Sequence, residues 1–138
     1  MTRAQLAARS YENRRHEYAR ERWNIIHDGG SSLQGEARSR GQWSGNRTTE
    51  AKAAKLESLE RLQWVREMHA VERARDRIGA DLPEEMRKAL QAAIMLNCSN
   101  GRRYPFEELY TVGVSRRTFY RHRQRFLDDV ATELNRNQ

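Results

Sequence analysis

Between Ser115 and Leu127 the chain carries five arginines, Arg116, Arg117, Arg121, Arg123 and Arg125, and no acid. A guanidinium is always charged, and its fork of donors can bridge O6 and N7 of guanine or grip a backbone phosphate. At helical spacing Arg116, Arg117, Arg121 and Arg125 fall mostly on one side, with Thr118 between them. Phe119, Phe126, Leu127, Val130 and Leu134 fall on the other side and are expected to face a core. A helix with an apolar back and a guanidinium-rich front suits the major groove of DNA. Catalytic chemistry leaves no comparable trace. No nucleophile–base pair, carboxylate cluster or metal motif appears, so neither an enzyme nor a cofactor or metal is expected. His16, His27 and His69 are assigned no chemistry, and His122 is expected to pack or to meet a phosphate. Cys98, the single cysteine, excludes an intramolecular disulfide and a cysteine zinc site, and reads as a small buried hydrophobe.

The residues before this helix can position it. Val112 and Val114 are apolar plugs around Gly113, which can take the positive φ of a tight interhelical turn. Ser115 is a good N-cap. Upstream, residues 79–82 read as a hinge. Asp81 is expected to cap the next helix, Glu84 to complete a capping box, and Pro83 to sit in the first turn. Met86, Leu90, Ala93, Ile94 and Leu96 give that helix an apolar face, and Asn97 to Arg103 read as a turn. Pro105 opens a short helix with Phe106, Leu109 and Tyr110 turned inward. Together these form a helix-turn-helix bundle.

The N-terminal half is organised differently. Residues 2–28 read as a long helix with a narrow seam in which Ala4, Tyr11, Tyr18 and Ile25 recur every seven positions, its charged face solvated. Residues 29–47 hold five of the eight glycines and read as a connector. Arg38, Arg40 and Arg47 offer a secondary phosphate contact there, although no phosphate-binding loop motif is present. Residues 48–78 are expected to form the longest helix, capped by Thr48 or Thr49 and stopped by Gly79. Its stripe of Leu56, Leu59, Leu62, Val65, Met68, Val71 and Ala74 steps by three. Each step falls about 60° short of a full turn, so the stripe spirals, which suits a spine helix with several neighbours rather than a coiled coil. Trp64, off the stripe, is a candidate for a second contact.

The 138 residues are 33% charged and 37% hydrophobic, with two prolines and a net charge of +7. Such a composition fits an all-α protein with a polyanionic partner, although an arginine-rich composition also arises from a GC-rich genome. The expected division is an N-terminal helical region over 1–78 and a DNA-binding helix-turn-helix domain over 79–138. No apolar run is long enough to span a membrane and no hydrophobic signal region is seen at the N-terminus, so no membrane partner and a cytoplasmic location are expected.

Leu82-Pro83-Glu84-Glu85-Met86, then Phe106-Glu107-Glu108-Leu109, then Gly113-Val114-Ser115-Arg116-Arg117-Thr118-Phe119, resemble region 4 of bacterial sigma factors, a helical bundle whose last helix reads promoter DNA. The order of the whole chain, including the Thr49-Glu50 pair at the start of a second long helix, is similar to phage late transcription regulators of the RinA/ArpU type. One position departs: the sigma-type motif usually has a small residue four places before the glycine, where this chain has Leu109. That leaves either a turn shorter by one residue, with Tyr110 near the crossing, or more widely spaced helices. The resemblance implies an activator of phage late genes that binds double-stranded promoter DNA and engages RNA polymerase; a homodimer is one assembly open to the chain. Arg116, Arg117 and Arg121 would face bases, and Arg102, Arg103 and Arg125 phosphates; Ser115 and Thr118 could do either, and Tyr120 completes the set. The other classes open to such a chain are a DNA-packaging adaptor of the small-terminase kind and a sigma-like promoter-recognition subunit.

Overall fold

The computed structural model describes residues 1–31, 45–100 and 106–136. Among them the fold is all-α, with no strand. The helices are α1 (Arg3–Ser31), α2 (Gly45–Arg61), α3 (Gln63–Arg77), α4 (Glu84–Asn100), α5 (Phe106–Thr111) and α6 (Arg116–Arg136). None is long and apolar enough to cross a membrane. The chain divides into two compact units, Met1–Glu12 with Glu67–Gln138, and Asn13–Arg66. The hinge at 79–82, expected as a domain boundary, lies inside the first unit.

In the first unit, α1 opens with a capping box absent from the sequence reading. Gln5 N–H donates to Thr2 Oγ1 at 3.1 Å, and Thr2 N–H donates back to Gln5 Oε1 at 2.9 Å. Ala4, Ala7, Ala8 and Tyr11 are buried, at the three- and four-residue spacing of one helix face. Polar contacts then tie this segment to α3. Arg3 pairs with Glu67 at 3.0 Å. The Tyr11 hydroxyl donates to Glu72 Oε2 at 2.8 Å and accepts from Arg75 Nη1 at 3.0 Å. Glu72 Oε1 lies 2.8 Å from His69 Nδ1, so His69, given no role from sequence, has a carboxylate partner one turn away.

In the second unit Tyr18 is buried with its hydroxyl on Glu60, and the Arg15 and Arg22 guanidiniums lie 5.6 and 5.8 Å from its ring centre. Burial first, and the Glu60 bond next, push the Tyr18 hydroxyl above its ordinary range. Leu59, next to Glu60 near the C-terminal end of α2, is buried.

Three elements differ from expectation. The single helix over 48–78 is broken at Leu62, where Leu62 N–H bonds to Leu59 O at 3.1 Å and the next helix restarts; the longest helix is α1, of 29 residues. Leu62 itself is exposed, whereas Leu59, Val65, Met68, Val71 and Ala74 are buried. A stripe stepping by three cannot stay on one face; Leu59 and Val65 fall in the second unit and Met68, Val71 and Ala74 in the first. Next, α4 starts at Glu84 rather than after an Asp81 cap. Pro83 is the flanking residue, and its carbonyl accepts from Arg87 N–H at 2.9 Å. Finally, α4 continues through Asn97 to Asn100, where a turn was expected. Leu96 is exposed, and Met95 is buried beside Leu90, Ala93 and Ile94.

Candidate nucleic-acid interface

The turn into α6 is built by backbone bonds. Gly113 has φ of 85°. Its N–H donates to Tyr110 O at 3.1 Å, and Val114 N–H reaches back to Leu109 O at 2.9 Å. This pair of bonds is the Schellman motif, which satisfies carbonyls left open at a helix end. Leu109 and Val114, the two residues such a motif brings together, are both fully buried. A large residue at 109 therefore closes the turn from inside. Tyr110, expected inward, is 55% exposed. Leu109 occupies the buried position, and the next residue of a one-and-a-half-turn helix is rotated by about 100° away from it. A Cβ at Gly113 would lie 3.6 Å from Met86 Cε of α4, so the turn packs on α4.

Ser115 caps α6 as expected: Thr118 N–H donates to Ser115 Oγ at 3.2 Å. The Ser115 hydroxyl in turn donates to Thr118 Oγ1 at 3.0 Å, so these two candidate DNA ligands first serve each other. All five expected core residues of α6, Phe119, Phe126, Leu127, Val130 and Leu134, are buried. Arg116, Arg117, Tyr120, Arg121 and Arg125 are exposed and Thr118 is half-buried. Tyr120 meets Phe119 edge-on at 5.1 Å, which steadies its ring on the outer surface. Arg117, Arg121 and Arg125 have no carboxylate partner among the described residues. From Arg117 to Arg121 the helix rises about 6 Å with an offset of about 40°, so both project from the same side of α6. Arg102 and Arg103 lie outside the described residues.

Two residues of the basic run are turned to other work. Arg123 donates from Nε to Asn97 Oδ1 of α4 at 2.6 Å. His122 is buried rather than presented to a phosphate. Burial, then repulsion by Arg125 and Arg121, lowers its imidazole below the ordinary range, with Asp81 opposing. Beyond Arg125 the outer face changes sign. Gln124 donates to Asp128, the first acid after Ser115, at 3.0 Å.

The back of α6 is held by a clasp that sequence reading missed. Glu133, only 2% exposed, accepts from Arg73 Nε at 2.9 Å and from Arg77 of α3, with Arg136 at 3.6 Å. The Arg77 bond, then that of Arg73, holds the Glu133 carboxyl below the usual carboxylate range. Glu133 falls on the apolar side of α6, one residue before Leu134, and an acid on an apolar stripe was the available signal. Cys98 is a half-buried free thiol that burial pushes up. No cluster of three or more metal-ligating side chains occurs among the described residues. Protein-family models, curated proteins and solved structures give no match to the chain.

Proposed function

We propose that the protein is a sequence-specific double-stranded DNA-binding regulator of transcription, and not an enzyme, with α6 as its recognition helix. The observation that carries this reading is the exposed, acid-free face of Arg116, Arg117, Arg121 and Arg125 behind a capped helix start. A positive face of this kind supplies the backbone attraction common to DNA-binding proteins, and its bidentate donors supply base discrimination. The resemblance to sigma region 4 and to RinA/ArpU-type regulators supports a narrower version. In that version the promoter of phage late genes is the target, RNA polymerase in a bacterial cytoplasm is the partner, and activation is the outcome.

The test begins with selection of a preferred duplex from a random library, followed by binding of Arg117→Ala. One bidentate base contact is worth about 1–3 kcal/mol, so the variant should lose roughly 5- to 150-fold on the preferred site. On random duplex it should lose much less. Equal losses on both duplexes, or no preferred sequence at all, would overturn the reading.

A further inference from the structure

The first turns of α1 belong to the same compact unit as α6, and they bring a second arginine close to Arg123. A cavity of about 290 Å³ is lined by Arg9 and Gln5 of α1, Asn97 of α4, and Arg123 and Leu127 of α6. We propose that this cavity binds a phosphate group, through the Arg9 and Arg123 guanidiniums with Gln5 in support.

The hydrogen-bonding capacity of the lining is donor-rich. Gln5 Oε1 already accepts from Thr2 N–H at 2.9 Å, so its side chain has its amide N–H groups left to offer. Asn97 Oδ1 is used by Arg123 Nε at 2.6 Å, a bond that also fixes the plane of that guanidinium. No carboxylate lines the cavity, so no internal anion competes for the two cations. Several arginines of this unit stand beside acids, among them Arg3 with Glu67, Arg73 with Glu133 and Arg75 with Asp76, whereas Arg117, Arg121 and Arg125 do not among the described residues. Arg9 and Arg123 have no such partner among the described residues. The Leu127 side chain forms an apolar wall, which raises the strength of charge-assisted bonds beside it. A tetrahedral oxyanion has acceptors enough for both guanidinium forks and an amide, which suits phosphate better than a lone carbonyl or an alcohol.

The phosphate can come from the backbone of bound DNA or from a free phosphate ester. The first source rests on the function proposed above; the second does not. The experiment uses the full chain, with Arg9→Gln and Gln5→Glu as variants. Arg9 is exposed on a helix, and Glu serves the Thr2 capping box as well as Gln does, so both variants keep the fold. Gln5→Glu places a carboxylate in the cavity. In one arm inorganic phosphate replaces chloride at fixed ionic strength while amide chemical shifts are followed. Saturable shifts at Gln5, Asn97 and Arg123 in the wild type, lost in both variants, support the site. In the other arm the salt dependence of binding to random duplex is measured. A slope smaller by about one in Arg9→Gln assigns the phosphate to the DNA backbone. An unchanged slope with lost saturation assigns it to a free ligand. Neither readout moving in either variant overturns the proposal. A wild type that binds no duplex overturns the DNA source and the proposed function together, and leaves the inorganic phosphate arm as an independent answer.

Discussion

The Glu133 clasp offers the sharpest test of how α6 is held. The perturbation is Glu133→Gln, which keeps the shape and one acceptor but removes the charge. At about 3 Å and an effective dielectric near 20, each close guanidinium contact is worth roughly 5 kcal/mol before desolvation. Desolvating a nearly buried carboxylate takes back several kcal/mol. The Arg73 and Arg77 side chains are each 46% exposed, so water can screen them and rehydrate them when the charge is gone. The net loss is therefore set by hydrogen bonds to a charged group, about 1–3 kcal/mol, with the exposure favouring the lower half. Urea unfolding at pH 7 measures it. The pH dependence adds a second check. Because Arg77 and Arg73 hold the folded carboxyl below its ordinary value of 4.5, the clasp contributes fully above that value. Its contribution fades as pH falls from there through the lower folded value. The gap between wild type and Glu133→Gln should be full at pH 7 and shrink below pH 4.5. A gap that is the same at pH 7 and in acid, or one under about 0.5 kcal/mol at pH 7, would refute the clasp as a charge interaction.

Two further expectations concern the turns and the buried imidazole. Gly79 (φ 66°) and Gly113 (φ 85°) are both left-handed, yet a Cβ at Gly79 would meet Leu82 Cδ1 at 3.3 Å and Arg87 Cα at 3.4 Å, whereas at Gly113 it would meet only Met86 Cε at 3.6 Å. Gly113→Ala should thus cost about 1–2 kcal/mol for the backbone alone, and Gly79→Ala more than that; thermal or urea unfolding that reverses this order would contradict the packing described. His122 has a folded pKa lowered from an ordinary 6.5 by burial and by Arg125 and Arg121. The unfolded chain therefore takes up the proton first, and stability should fall as pH drops from about 6.5 toward the lower folded value. His122→Asn should flatten that part of the wild-type unfolding profile, and an unchanged profile would place the imidazole in solvent.

Legibility in the sequence followed the range of the interaction. The turn at Gly113, the Ser115 cap and the buried face of Phe119, Phe126, Leu127, Val130 and Leu134 depend on neighbours within a few residues, and those were readable. The same local rule applied to Thr2 and Gln5 would have found the capping box of α1. Tyr110 and Leu96 failed because a neighbouring apolar residue, Leu109 in one case and Met95 in the other, took the buried position, and composition does not rank such rivals. The break at Leu62 has no glycine or proline to announce it. Arg73, Arg77 and Glu133 are about 60 residues apart, and nothing local pairs them. The same is true of Tyr11 with Glu72 and Arg75, which is why α1 read as a solvated helix and the C-terminal domain as starting at residue 79.

An arginine-rich genome offers the plainest rival explanation for the basic face, and the pattern of partners bears on it. Codon bias adds arginine without regard to what lies opposite. In the first unit, however, arginines sort by position. Arg3, Arg73, Arg75 and Arg77 stand beside acids and tie helices together or cap their surface. Arg117, Arg121 and Arg125 share one exposed stretch, and acids resume only at Asp128. Like charges on successive turns of a helix repel by a few tenths of a kcal/mol per pair, so such a face lowers stability a little for as long as it is empty. A cluster of this kind is readily understood if an anion of high charge density occupies it. The two ends of α6 then differ physically: Arg117, Arg121 and Arg125 have no carboxylate partner among the described residues, whereas Glu133, near the other end, ties the helix to Arg73 and Arg77 of α3.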